Sequence, residues 1–181
     1  MNAATSQSSL ARFPWRPLIW GGAALLFSIP VVAGIVQPEG FDWSPMDYVF
    51  AAVMIFGSAL VMELGLRMSG NATYRFGFAV ALGTAFFTIW SNLAVGIIGN
   101  EDNPLNLMYF AALLLGIVGA LAVRFRAAGL GHVTGALAVA QFAIAGIAQF
   151  NGYFTWIIAA FFAVLWSASS MLFRKAARTS S

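Results

Sequence analysis

NEDNPLNLMYFAALLLGIVGALAVRFR, residues 100–126, gathers two carboxylates and three side-chain amides before an apolar run, and two arginines close it. The run from Leu107 to Phe125 is long enough to cross about 30 Å of hydrocarbon at about 1.5 Å per helical residue. Arginine on one flank alone gives the crossing a direction, with the basic side in the cytoplasm.

On either side, apolar runs of about 18–23 residues, the length a membrane helix needs, recur, so that the set occupies 18–36, 48–66, 76–98, 107–125, 133–150 and 153–173. The expected fold class is therefore an all-α membrane protein, a bundle of about six transmembrane helices over residues 17–173. Pro30 predicts a kink in the first span, and Asn151-Gly152 a tight turn between the last two. Residues 1–16 are expected to form a disordered N-terminus and 174–181 a basic C-terminus. A cleaved signal peptide is the competing reading of the first span, but its run is long and no clear cleavage site follows.

Charge tests this scheme. Arg12, Arg16, Arg67, Arg75, Arg124, Arg126, Arg174, Lys175 and Arg178 all fall on one side of the six spans, while Glu39, Asp42, Asp47, Glu101 and Asp102 fall on the other. Both termini are then expected in the cytoplasm. Trp15, Trp20, Trp43 and Trp156 fall near the boundaries, where amphipathic rings settle.

Composition agrees. Hydrophobic residues make up 61% of the 181 and charged ones 8%, against about a quarter charged in a soluble domain. No segment alternates as a membrane β-barrel does. With no cysteine and one histidine, His132, thiolate zinc sites, iron–sulfur clusters and covalent haem are excluded. No cofactor, metal or nucleic acid is expected, and no catalytic motif stands out. The expected surroundings are the lipid bilayer and either further copies of the chain or a larger membrane complex.

The spans also pair as three tandem helical hairpins. Ascending helices end in Val32-Ala33-Gly34-Ile35-Val36, Ala94-Val95-Gly96-Ile97-Ile98 and Ile144-Ala145-Gly146-Ile147-Ala148. This reads equally as triplication or as chance recurrence of small apolar residues.

Polar residues in the spans are the candidate ligand or pathway groups. Thr84, Thr88, Ser91 and Asn92 share one face of span three, and Gln141 and Gln149 lie on nearly one side of span five. Lipid cannot satisfy these groups, so both stripes should face protein or a cavity. Glu63 is the one acid inside a span, four residues before Arg67, which suits an ion pair or an ion-carrying role. In the loop, Asn100, Glu101, Asp102, Asn103 and Asn106 could hold a hard cation, a polar ligand or a partner. They equally suit a turn and a helix start, with Asn103 as cap and Pro104 first in the helix. Ala112, Gly116 and Ala120 form a small-residue seam that predicts close helix packing.

The stretch from Trp90 to Tyr109, WSNLAVGIIGNEDNPLNLMY, resembles a group of bacterial multi-pass inner-membrane proteins. The resemblance implies a bacterial inner membrane and an all-helical fold, and brings no activity or site residue with it. Two function classes follow from the residues themselves. The first is a non-enzymatic membrane subunit or accessory protein. The alternative is a small channel or transporter for a small polar solute or ion, lined by the polar faces of spans three and five.

Overall fold

Polar residues between the apolar runs decide where each helix begins. The backbone N–H and hydroxyl of Ser44 donate to the Asp47 carboxylate at 2.7 and 2.8 Å, half of a capping box. The Asn71 side chain accepts from the N–H groups of Thr73 and Tyr74, and Asn103 accepts from Leu105 with Pro104 next in line. Each cap satisfies donors that a helix start leaves unpaired. A computed structural model describes residues 15–37 and 39–179. Of the expected disordered tail 1–16, residues 1–14, with Arg12, lie outside the described residues, as do the last two residues, whereas Trp15 and Arg16 are helical.

Six helices result: α1 Trp15–Val36, α2 Pro45–Met68, α3 Ala72–Ala94, α4 Leu107–Ala122, α5 Ala127–Phe150 and α6 Trp156–Thr179. A 3-10 turn, Pro104–Asn106, leads into α4. All six, α4 with its 3-10 turn included, are long and apolar enough to cross a membrane, and among the described residues there is no strand. The chain is thus all-helical, as expected, and multi-pass in character.

Several boundaries differ from the apolar runs, for local reasons. The apolar run of the third span covers 76–98, but α3 extends from Ala72 to Ala94. Asn71 starts it early, and Gly96 and Gly99 turn the chain at φ +70° and +74°. Ile97 and Ile98 are therefore loop residues whose side chains fill the core. Helix α4 stops at Ala122, ahead of the expected 125, because Arg124 and Phe125 adopt φ +52° and +55°. The Tyr74 hydroxyl donates to the Phe125 carbonyl at 3.0 Å and holds that bend. Helix α5 starts at Ala127, ahead of 133, so His132 lies within it, exposed. Helix α6 runs on to Thr179 through Arg174, Lys175 and Arg178, so most of the expected basic tail is helix. Pro30 lies inside α1. The Asn151-Gly152 turn forms as expected, with Gly152 at φ +85°.

The helices form two compact units, one up to Gly70 and one from Asn71. In the first, α1 and α2 run antiparallel. Ala23, Ala51, Ile55 and Ala59 make its buried seam, and Phe27 packs on Phe56 with ring centroids 5.5 Å apart. At its acidic end the Tyr48 hydroxyl fills the space beside Gly34, donating to the Pro30 carbonyl at 3.4 Å.

In the second unit, α6 packs on both α5 and α3, and α4 packs mainly on α5. Helices α3 and α4, though consecutive, barely touch. Two adjacent serines on α6 tie its neighbours. Ser169 donates to the Gly77 carbonyl on α3 at 2.9 Å, and Ser170 to the Gly131 carbonyl on α5 at 2.5 Å. Glycine at both acceptors lets the backbones approach, since a Cβ on Gly131 would lie 2.9 Å from the Arg174 Cγ. The α4 seam packs as its spacing predicts: a Cβ on Gly116 would lie 2.8 Å from the Leu137 side chain. Ser169→Ala and Ser170→Ala should each cost about 0.5–1.5 kcal/mol, the range of buried hydrogen bonds between membrane helices. Unfolding in mixed micelles measures both costs, and no loss of stability in either variant would remove these bonds from the packing of α6.

The three aligned glycines of the hairpin motif do unlike things. Gly34 is helical and accommodates Tyr48, Gly96 is a loop residue with positive φ, and a Cβ on helical Gly146 would meet nothing within 4 Å. Together with the splayed α3–α4 pair, this favours chance recurrence over a structural triplication.

Candidate functional site

The stripe on α3 is buried, and its hydrogen bonds run along its own helix. Thr84 donates to the Val80 carbonyl at 2.7 Å, Thr88 to Thr84 at 2.8 Å, and the Asn92 amide to Thr88 at 2.7 Å. Such bonds to the preceding turn satisfy hydroxyls without any partner helix. Ser91 is half-buried, about 100° around the helix from Asn92.

The stripe on α5 is only partly as expected. Gln141 is buried, 2% exposed, and Thr134 donates to Leu130 at 2.8 Å. Gln149, by contrast, is exposed. Eight helical residues turn the chain about 80° past a whole number of turns, and this carries Gln149 off the face that Gln141 shares with Ala145 and Ala148. Its place next to the end of α5 puts its amide near the membrane boundary. It does not join the buried stripe.

The loop candidates separate into two groups. Asn106 is buried and closes the loop by three bonds: it accepts from the Ile98 N–H at 2.9 Å and donates to the Ile98 and Asn100 carbonyls at 3.3 and 2.7 Å. Asn103 caps the 3-10 turn. Their side chains are engaged in turn and cap chemistry. Asn100, Glu101 and Asp102 are exposed. No three His, Asp or Glu side chains gather among the described residues in a way that could hold a metal.

Glu63 is buried, 6% exposed, near the basic end of the first unit. Its Oε1 meets Arg16 Nε at 2.9 Å and also the Arg67 guanidinium, while its Oε2 accepts from the Trp20 indole at 2.7 Å. The sequence spacing exposes the Arg67 pairing. Arg16 and Trp20 are far away in the chain, and no local signal announces them.

A second set of polar atoms lies inside the second unit with no hydrogen-bond partner among the described residues. Four of these are Asn92 Oδ1, Tyr109 Oη, Gln141 Oε1 and Trp166 Nε1, and a fifth, Thr155 Oγ1, lies in the loop before α6. Tyr109 and Trp166 belong to one core with Ile98, Ala138 and Phe162. All four belong to the half of the unit nearer Glu101 and Asp102: Asn92 ends α3, Tyr109 begins α4, and Gln141 and Trp166 sit just on that side of their helix midpoints. Two acceptors and two donors suit hydrogen bonding and offer no nucleophile with a base. Sequence reasoning misses Tyr109 and Trp166. The available signal is the position of Tyr109 on the same face as Ala112 and Gly116.

Toward the basic end this interior closes. Below the two serine bonds, Tyr74, Leu130, Phe173 and Ala176 form an apolar cluster with Phe78, Val123 and Phe125 packed on it. The open groove near Thr155, about 490 Å³, is lined by Ile97, Phe154, Ile157, Ile158 and Phe161 and is apolar. Among the described residues, Thr155 is the one unpartnered polar residue that lines it. No protein-family model, curated protein or solved structure matches this chain.

Proposed function

We propose that the chain is a non-enzymatic membrane subunit or accessory protein, working in contact with further copies of itself or a larger membrane complex. The observation that carries this reading is the basic half of the second unit, where two serine bonds join α6 to its neighbours and the apolar Tyr74–Phe173 cluster interrupts a polar line among the described residues from one membrane face to the other. A conduit needs such a line, because a polar solute in hydrocarbon loses its hydrogen bonds. The hydroxyls of α3 are engaged by their own helix, and Glu63 is held between two arginines. The segregated charges support both termini in the cytoplasm.

One observation favours the channel or transporter alternative: the four unpartnered polar atoms in the acidic-end half. The two readings separate on purification in mild detergent, followed by uptake into sealed vesicles containing wild type, Asn92→Leu or Glu63→Leu. A stable co-purifying partner, with flux equal to empty vesicles for all three, is the expected result. Flux above that background which a folded Asn92→Leu protein abolishes would replace the subunit reading with transport.

A further inference from the structure

We propose that Arg16 and Arg67, held together by Glu63, form a binding site for the phosphate of an anionic phospholipid at the basic end of the α1–α2 hairpin. Both guanidinium groups contact the same carboxylate oxygen, Glu63 Oε1, so their contacting nitrogens lie within about 6 Å of each other, two hydrogen-bond lengths. The second carboxylate oxygen is taken by Trp20. One negative charge thus sits between two positive ones, and the cluster keeps a charge of +1.

That surplus faces outward. The Arg16 and Arg67 side chains are 72% and 63% exposed, whereas the Glu63 side chain between them is 7% exposed. Arg16 binds Glu63 through Nε and keeps both Nη groups for another acceptor. Arg67 uses Nη2 and keeps Nε and Nη1. Guanidinium forks match phosphate oxygens, and a phosphodiester brings the single negative charge that neutralises the cluster.

Among the described residues of this unit, no other acid lies at this end to supply that charge. In this unit the other acids, Glu39, Asp42 and Asp47, belong to the opposite helix ends, and residues 1–14 contain no Asp or Glu. The depth is right for a headgroup, since Arg16 is second in α1 and Arg67 next to last in α2. Leu18, Leu60 and Leu64 lie exposed within about two turns of the arginines, offering apolar surface to the acyl chains. A lipid satisfies both features, whereas free phosphate satisfies only the first. This inference does not depend on the accessory-subunit reading.

The test is native mass spectrometry of the full chain released from neutral detergent, titrated with phosphatidylglycerol or phosphatidylcholine of equal chain length. Wild type should retain one phosphatidylglycerol about tenfold more tightly than phosphatidylcholine, the scale of one charge-assisted bidentate contact. Arg16→Gln and Arg67→Gln should each bring the two lipids close to parity. Arg126→Gln, an exposed arginine of the second unit, should leave the preference unchanged. Millimolar inorganic phosphate should not displace the lipid. A preference that survives Arg16→Gln, or that Arg126→Gln removes equally, overturns the site. Displacement by inorganic phosphate overturns the lipid as its occupant. If Arg67→Gln fails to fold, Arg16→Gln still decides, because it leaves Glu63 paired with Arg67.

Discussion

Asn106→Leu should cost the second unit about 2–5 kcal/mol, read as a lower unfolding midpoint in mixed micelles. The side chains are similar in size, so packing changes little. What disappears is the clamp: the Ile98 N–H loses its acceptor, and the Ile98 and Asn100 carbonyls lose a donor. Ile98 is fully buried, and each buried polar group left without a partner costs about 1–3 kcal/mol. Asp102→Ala, on an exposed residue of the same loop, should change stability by no more than about 0.5 kcal/mol. If the two substitutions cost the same, the loop is not held by Asn106.

The second large effect is expected at Gly96, and its contrast with Gly146 tests the hairpin motif. A Cβ at Gly96 would lie 2.1 Å from the Asn100 carbonyl carbon and 2.2 Å from its oxygen. Those are backbone atoms, so no side-chain rotation relieves the clash, and φ +70° adds conformational strain. Gly96→Val should therefore cost at least about 3 kcal/mol, the sum of an overpacking and a left-handed backbone penalty. Gly146 sits in a helix, and a Cβ there would meet nothing within 4 Å. Gly146→Val should be neutral or slightly stabilising, by up to about 0.5 kcal/mol, because valine is the better helix former. Equal penalties at both positions would restore the idea that the hairpins are equivalent copies.

The number of helices and their approximate limits are legible in the sequence because hydrocarbon thickness sets a length that composition alone reports. The helix ends are less so. Ile97-Ile98 continues the apolar run of α3, yet positive φ at two glycines takes it out of the helix, and hydropathy cannot tell an isoleucine in a helix from one buried under a loop. Ala127 to Gly129 reads as a connection because arginines precede it, yet these residues extend α5. The Glu63–Arg67 pair follows from i,i+4 spacing, whereas Arg16 and Trp20 reach Glu63 only through the antiparallel pairing of α1 and α2. The burial of Thr84, Thr88, Asn92 and Gln141 follows from the rule that lipid leaves such groups unsatisfied. Gln149 escapes that rule because a helix end meets the membrane boundary. Ser169 and Ser170 carry no sequence signal beyond their type, since their acceptors are backbone carbonyls on two other helices.

The interior of the second unit is packed toward its basic end, where apolar side chains fill the space a passage would need. The chain has no cysteine, so single substitutions Thr84→Cys, Ser169→Cys and Asp102→Cys can be probed with a membrane-impermeant maleimide applied to each face of sealed vesicles. The expected result is fast labelling of Asp102→Cys from one face and no labelling of Thr84→Cys or Ser169→Cys from either. Labelling of Thr84→Cys or Ser169→Cys at a rate comparable to Asp102→Cys would contradict the closed interior and the subunit reading built on it.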